Sequence, residues 1–227
     1  MKLSLHLPIN SVSFGQVSYG ILMELFNRKI EPRLFLIGNP DFSSQNPNQE
    51  FQNWVMEANK RALVDHKRND LIFKLWHLNG SLESFSNNQI LLTFHELDSL
   101  TEPEINVIKN NYKVLVTSQY SKNNFENYGI SNVEYIPLYF DKLNFFRKEK
   151  QYFNDNRITF NLCGKFENRK HHVKVIRSWI NKYGNNPNYS LQCAVYNNFI
   201  SPEDNQKFIN FAVEGKKYFN VSFSGFM

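Results

Sequence analysis

Ile158-Thr-Phe-Asn-Leu-Cys-Gly-Lys-Phe-Glu-Asn-Arg-Lys170 is an apolar run that ends at a glycine, with three cations in the next six residues. Helix-like spacing follows at His171–Tyr183, then a strand pattern at Ser190–Tyr196, a helix at Glu203–Val213 and a strand at Phe219–Phe223. Short apolar runs alternating with helices are the pattern of a parallel sheet with crossover helices. The cations Lys165, Arg169 and Lys170 precede a helix start, where positive charge opposes the helix dipole. A bound anion would offset that cost, because Lys and Arg make charge-assisted bonds to phosphate oxygens. The alternative is a solvated basic loop. His171 and His172 read as surface residues of the helix.

The same alternation runs upstream. Strand patterns lie at Lys2–Ile9, Leu34–Ile37, Leu71–Trp76, Ile90–Phe94, Lys113–Thr117 and Val133–Ile136. Helical spacing spans Gly15–Arg28 and Glu50–Val64. Thr101-Glu-Pro-Glu104 marks a further helix start, with a capping residue, acids and Pro in the first turn. Ser118 caps a predicted helix over Gln119–Tyr128. Phe145–Asn156 is charged and aromatic without clear periodicity and reads as an interdomain connection. The expected organisation is an α/β chain with a Rossmann-like parallel-sheet domain over residues 1–144 and a second, partial one over 157–227. The 71 residues from Arg157 supply about three strands and two helices, fewer than a doubly wound domain with both faces covered uses, so a fragment of a longer protein is expected.

Composition is that of a globular protein: 41% hydrophobic, 15% aromatic and 21% charged. The net charge of +5 is unevenly spread. Met1–Tyr112 carries 10 Lys/Arg against 12 Asp/Glu, and Lys113–Met227 carries 16 against 9. A basic second half suits a diphosphate or a nucleic acid, or is simply a solvated surface. Cys163 and Cys193 lie inside apolar runs, as buried reduced thiols of a cytoplasmic protein would. The N-terminus lacks a signal-peptide pattern. No run reaches the roughly 20 apolar residues of a transmembrane helix.

Three places could carry chemistry. Pro8–Gly20 joins a strand to a helix through a loop containing Gly15, where free N–H groups would favour an anion; the other reading is a helix-start glycine. Neither GxGxxG nor GxxxxGK[ST] occurs, which disfavours dinucleotide-dependent dehydrogenases and P-loop NTPases. Leu91-Leu-Thr-Phe-His-Glu-Leu-Asp98 delivers His95 to the carboxyl end of a strand, where α/β sheets bind ligands. His95 could hydrogen-bond a sugar hydroxyl or stabilise charge. Equally, its ring could be satisfied within the loop, with Asp98 or Ser99 capping the next helix. No second His or Cys lies at metal-ligand spacing nearby. The third place is Gly164–Lys170. Trp76 and His77 could stack on a sugar, although Trp76 also reads as a buried strand-end residue.

In this order, these pieces resemble a glycosyltransferase of the GT-B type, similar to glycosyltransferase family 4. The resemblance spans nearly the whole chain. It rests on Gly15, the strand ending in His95, Val116-Thr-Ser-Gln-Tyr-Ser-Lys122, the junction Gly129-Ile-Ser-Asn-Val-Glu-Tyr-Ile-Pro-Leu-Tyr-Phe-Asp141, and Gly164–Lys170. The last looks like the family's G-R-x-x-x-x-K element. The resemblance implies two facing Rossmann-like domains with a nucleotide-sugar donor between them. Gly15, Gly164, Lys165, Arg169 and Lys170 would then lie at the donor diphosphate, and His95 near the transferred sugar as the catalytic residue. It further implies a retaining, metal-independent, hexosyltransferase-like transfer without a cofactor, the donor serving as substrate and the acceptor being a glycan, lipid or protein.

Two departures stand out. Lys165 replaces the usual Arg and loses its bidentate fork, which Arg169 could supply. The family's downstream acidic donor motif has no counterpart after Phe223, so weak donor binding and little turnover are expected. The competing readings are a catalytically incompetent Rossmann-like binding module and a nucleic-acid-binding protein. No recognisable nucleic-acid motif accompanies the basic half, which disfavours the latter.

Overall fold

The computed structural model describes residues 3–140, 147 and 157–224. The expected connection Phe145–Asn156, apart from Arg147, lies outside the described residues, as do Lys2 and Asp141. The chain divides into two compact units, Met1–Phe146 and Arg147–Met227.

The first unit is a six-stranded, all-parallel sheet in the order β2-β1-β3-β4-β5-β6. Its strands are β1 (Ser4–Pro8), β2 (Arg33–Ile37), β3 (Ile72–Leu75), β4 (Gln89–Thr93), β5 (Lys113–Val116) and β6 (Val133–Tyr135). Helices α1 (Ser13–Asn27), α2 (Gln49–Asp65), α3 (Glu102–Lys109) and α4 (Gln119–Asn127) supply the crossovers. The register assigns the faces. Leu5 and Leu34 are paired, as are Leu75 and Leu92, and these residues pack with Phe14 and Leu22 of α1 and Phe51 and Val55 of α2. Leu91, Val114 and Val133 alternate onto the other face and pack with Ile108 of α3 and Phe125 of α4.

Local capping starts the later helices where the sequence predicts. Thr101 Oγ1 accepts from the Glu104 N–H, and the Glu104 carboxylate accepts from the Thr101 N–H at 2.8 Å, a reciprocal box worth about 1 kcal/mol. Ser118 Oγ accepts from the Ser121 N–H at 3.0 Å. Asp98 and Ser99 therefore do not cap α3. Helix α1 begins at Ser13, two residues before its expected start at Gly15.

The β3–β4 crossover contains no helix. The buried Lys74 ammonium instead donates to the carbonyls of Gly80, Ser81 and Glu83, and Gln89 Nε2 donates to Ser81 O at 2.8 Å. These bonds hold a coil of about a dozen residues against the sheet, as a helix would elsewhere.

The second unit is a parallel sheet, β7 (Ile158–Lys165), β8 (Tyr189–Tyr196) and β9 (Val221–Ser224), with helices α5 (His172–Tyr183) and α6 (Pro202–Ala212). Ile176 and Trp179 of α5 and Ala212 of α6 share one core with Leu191, Cys193 and Val195. Among the described residues no helix is long and apolar enough to cross a membrane.

Candidate functional site

At the carboxyl rim of the first sheet, Phe14 at the start of α1 gathers His77 and Phe94, with ring centroids 4.4 and 4.7 Å away. Gly15 stands in the first turn of α1, not in the loop before it. A Cβ there would lie 2.1 Å from Asn10 O and 2.4 Å from Asn10 Oδ1. No side chain fits, because the β1–α1 loop folds back onto the helix. The space that glycine leaves is taken by the chain's own backbone.

His95 follows β4 by two residues. Its carbonyl accepts from Ser121 Oγ at 3.0 Å, and its ring meets Phe125 edge-on at 5.1 Å. Both ring nitrogens are buried and have no hydrogen-bond partner among the described residues. The loop therefore fixes the backbone and leaves the imidazole unsatisfied, an arrangement that structural histidines avoid. Burial lowers its pKa against an opposing pull from Glu104. The neutral ring offers one donor and one acceptor, which suits a hydroxyl-bearing ligand.

In the second unit, β7 continues through Gly164 to Lys165, past the glycine at which the sequence reading ends it. Gly164 has φ +126°, a conformation that residues with a side chain rarely adopt. A Cβ built on it would come within 3.3 Å of Lys170 Nζ and 3.8 Å of His172 Cε1. The end of β7 and the lysine head are thus adjacent, although five residues separate Gly164 from Lys170 in sequence. A single 3-10 turn, Asn168–Lys170, closes the loop, and His171 enters the left-handed region at φ 53° to start α5 with no side-chain cap. An uncapped helix N-terminus beside Lys165, Arg169 and Lys170 is chemically suited to an anion.

That place is partly filled from within. The Glu167 carboxylate lies 3.0 Å from Lys165 Nζ and 2.8 Å from Arg169 Nε. The Lys165 hydrogen bond is the largest influence holding its pKa low, and the charges of Arg169, Lys165 and Lys170 add to it. The run of three cations therefore carries its own counter-ion, which composition alone does not reveal.

Two expectations need correction. His172 is buried, not a surface residue: it is 3% exposed, its ring lies 5.7 Å from Phe166, and its buried Nδ1 has no partner among the described residues. The left-handed turn at His171 rotates the next side chain inward. Burial, then the Lys170 charge, lower the His172 pKa, against a hydrogen bond to the Cys163 backbone. Cys163 is exposed, whereas Cys193 is buried. Cys163 pairs with Ala194 and Leu162 with Cys193, so the pleat puts the two thiols on opposite faces, and the shared helix core covers the Cys193 side. Arg33 and Lys74, both buried, also escape a reading by composition. Among the described residues no group of three His, Cys, Asp or Glu is placed to hold a metal ion.

By sequence, no known family and no curated protein matches the chain. Among solved structures it is similar to HepE of Anabaena in complex with UDP-glucose, at TM-score 0.61 and 13% identity over 99% of this chain and 69% of that one. It is also similar to the lipopolysaccharide outer core galactosyltransferase WaaB, at TM-score 0.54 and 12% identity over 100% and 68%. A third is the E. coli trehalose-6-phosphate structure bound to UDP-2-fluoro glucose, at TM-score 0.56 and 9% identity over 99% and 74%. These likenesses show a fold: Rossmann-like parallel-sheet units of the GT-B type. The chain is shorter than each of these structures.

Proposed function

We propose that the chain is a nucleotide-sugar-dependent glycosyltransferase, or the N-terminal part of one, with residues 1–144 on the acceptor side and 157–227 on the donor side. The observation that carries this reading is the Gly164–Lys170 cradle. Gly164, at positive φ near the end of β7, leaves Lys170 room over the backbone, in one loop with Lys165, Arg169 and the uncapped start of α5. Such a cradle suits the diphosphate of a donor of the kind HepE holds. In the transfer, the bond from the anomeric carbon to the diphosphate oxygen breaks and its electron pair leaves with the diphosphate. The acceptor oxygen bonds to that carbon and passes its proton to the departing diphosphate oxygen. Lys165, Arg169 and Lys170 would stabilise the charge gathering on the leaving group, and neutral His95 would hydrogen-bond a hydroxyl of the transferred sugar.

The reading includes retention of anomeric configuration, no metal or cofactor, a glycan, lipid or protein acceptor, and a cytoplasmic location, in keeping with two free thiols. Gly15, packed against Asn10, would act near the phosphates only through the conformation of the loop it permits. Hydrogen exchange with saturating UDP or GDP tests the proposal. Slower exchange across residues 164–172 is expected, and unchanged exchange there would sink the assignment. A binding-only role gives the same protection with no sugar transfer, so release of UDP from UDP-glucose in the presence of acceptor separates the two.

A further inference from the structure

Phe199 is 74% exposed, a costly position for a ring of that area. It is nonetheless held in place. Phe199 N–H donates to Asn197 Oδ1 at 3.0 Å, and Asn197 N–H donates to Asn205 Oδ1 at 2.8 Å. Asn205, itself 2% exposed, returns a bond from Nδ2 to Asn197 O at 2.9 Å, and Asn197 Nδ2 donates to Phe166 O at 3.3 Å. The loop between β8 and α6 is thus tied both to the first turn of α6 and to the cation loop that follows β7. Lys165 Nζ lies over one face of the Phe199 ring, 5.0 Å from its centroid. An aromatic ring on a fastened loop, with a cation on one face and solvent around the rest, has the form of a stacking platform.

We infer that Phe199 is the stacking platform for the nucleobase of a nucleoside diphosphate. The inference rests on the diphosphate reading above and deepens it. Lys165 links the two, since the ammonium assigned to the phosphates is the one that touches the ring. A base fits this ring better than a sugar does. Every base offers a flat π-face, and stacking on an aromatic ring needs no further hydrogen-bond partners, of which the Phe199 side chain has none.

The test compares inorganic pyrophosphate, UDP and UDP-glucose by calorimetry on the full chain and on its Phe199→Ala and Phe199→Trp variants. An exposed ring is removable without disturbing the core. Phe199→Ala should weaken UDP and UDP-glucose alike by about 5- to 100-fold and leave pyrophosphate unchanged, and Phe199→Trp should keep UDP binding. Equal losses for pyrophosphate and UDP would make the ring a loop prop and overturn the platform. So would a loss confined to UDP-glucose, which would mark a sugar platform, or no loss at all. Wild-type chain that binds pyrophosphate as tightly as UDP would refute the platform while the diphosphate reading stood. Wild-type chain that binds neither would remove both.

Discussion

Replacing Gly164 with Ala asks whether backbone conformation or side-chain packing sets the cation loop. At φ +126° an L-residue is strained by about 1–3 kcal/mol. The steric part is minor. The new Cβ would meet Lys170 Nζ at 3.3 Å, Lys170 Cδ at 3.7 Å and His172 Cε1 at 3.8 Å, and the lysine tip can swing aside. Strain therefore dominates, and it falls on the second unit alone. For a unit of this size each kcal/mol moves the melting midpoint by about 4–8 °C, so a drop of about 5–20 °C is expected. Trp179 lies in this unit and Trp54 and Trp76 in the other. Tryptophan fluorescence in a Trp54→Phe/Trp76→Phe background therefore follows the second unit directly. Gly129→Ala is the control: its φ is +70°, nothing lies within 4 Å of the added Cβ, and only the first unit should weaken. A Gly164→Ala shift under about 0.5 kcal/mol, the scatter of ordinary surface substitutions, would refute the claim that this position favours glycine.

Three further outcomes are expected. His6 has its pKa lowered from 6.5 to about 4, by burial first and the Lys74 charge second. The unfolded chain therefore binds a proton that the folded chain refuses between those values. Stability is complete above pH 6.5 and falls by up to about 3 kcal/mol towards pH 4. Urea titrations across that range should be flatter for His6→Leu, and identical pH profiles would contradict the assignment. A thiol reagent should label one cysteine per native chain, Cys163, and reach Cys193 only on unfolding, because burial pushes that thiol up to about 12. Labelling of two thiols in the native chain would contradict the packing. Glu167→Gln frees Lys165 and Arg169 from their internal counter-ion, so UDP should bind roughly 2- to 10-fold more tightly at low salt and less so at about 0.5 M salt. Weaker or unchanged binding would end the view of Glu167 as a stand-in for the anion.

Much of the fold was legible because its signals are local. Alternating apolar runs and helical spacings correspond to the strands and helices observed, and Thr101 and Ser118 cap their helices from one turn away. Gly15 and Gly164 were both visible as special positions, yet for different physical reasons. The first admits the chain's own loop and the second a positive φ, and the one-letter code does not separate the two. The β3–β4 connection reads as a turn at Asn79-Gly80 with no helix, but its fastening is not legible, because it depends on Lys74, a residue that composition assigns to the surface.

Residues 158–170 determine, by spacing alone, that a strand meets a glycine turn, a group of cations and a helix. Tertiary structure decided what that group presents. The left-handed step at His171 turned His172 inward, the pleat separated Cys163 from Cys193, Glu167 folded back onto Lys165 and Arg169, and the Asn197–Asn205 clasp brought Phe199 to Lys165. A period of 3.6 or 2 is a property of neighbours along the chain, whereas core burial and the approach of Phe199 to Lys165 depend on segments tens of residues away.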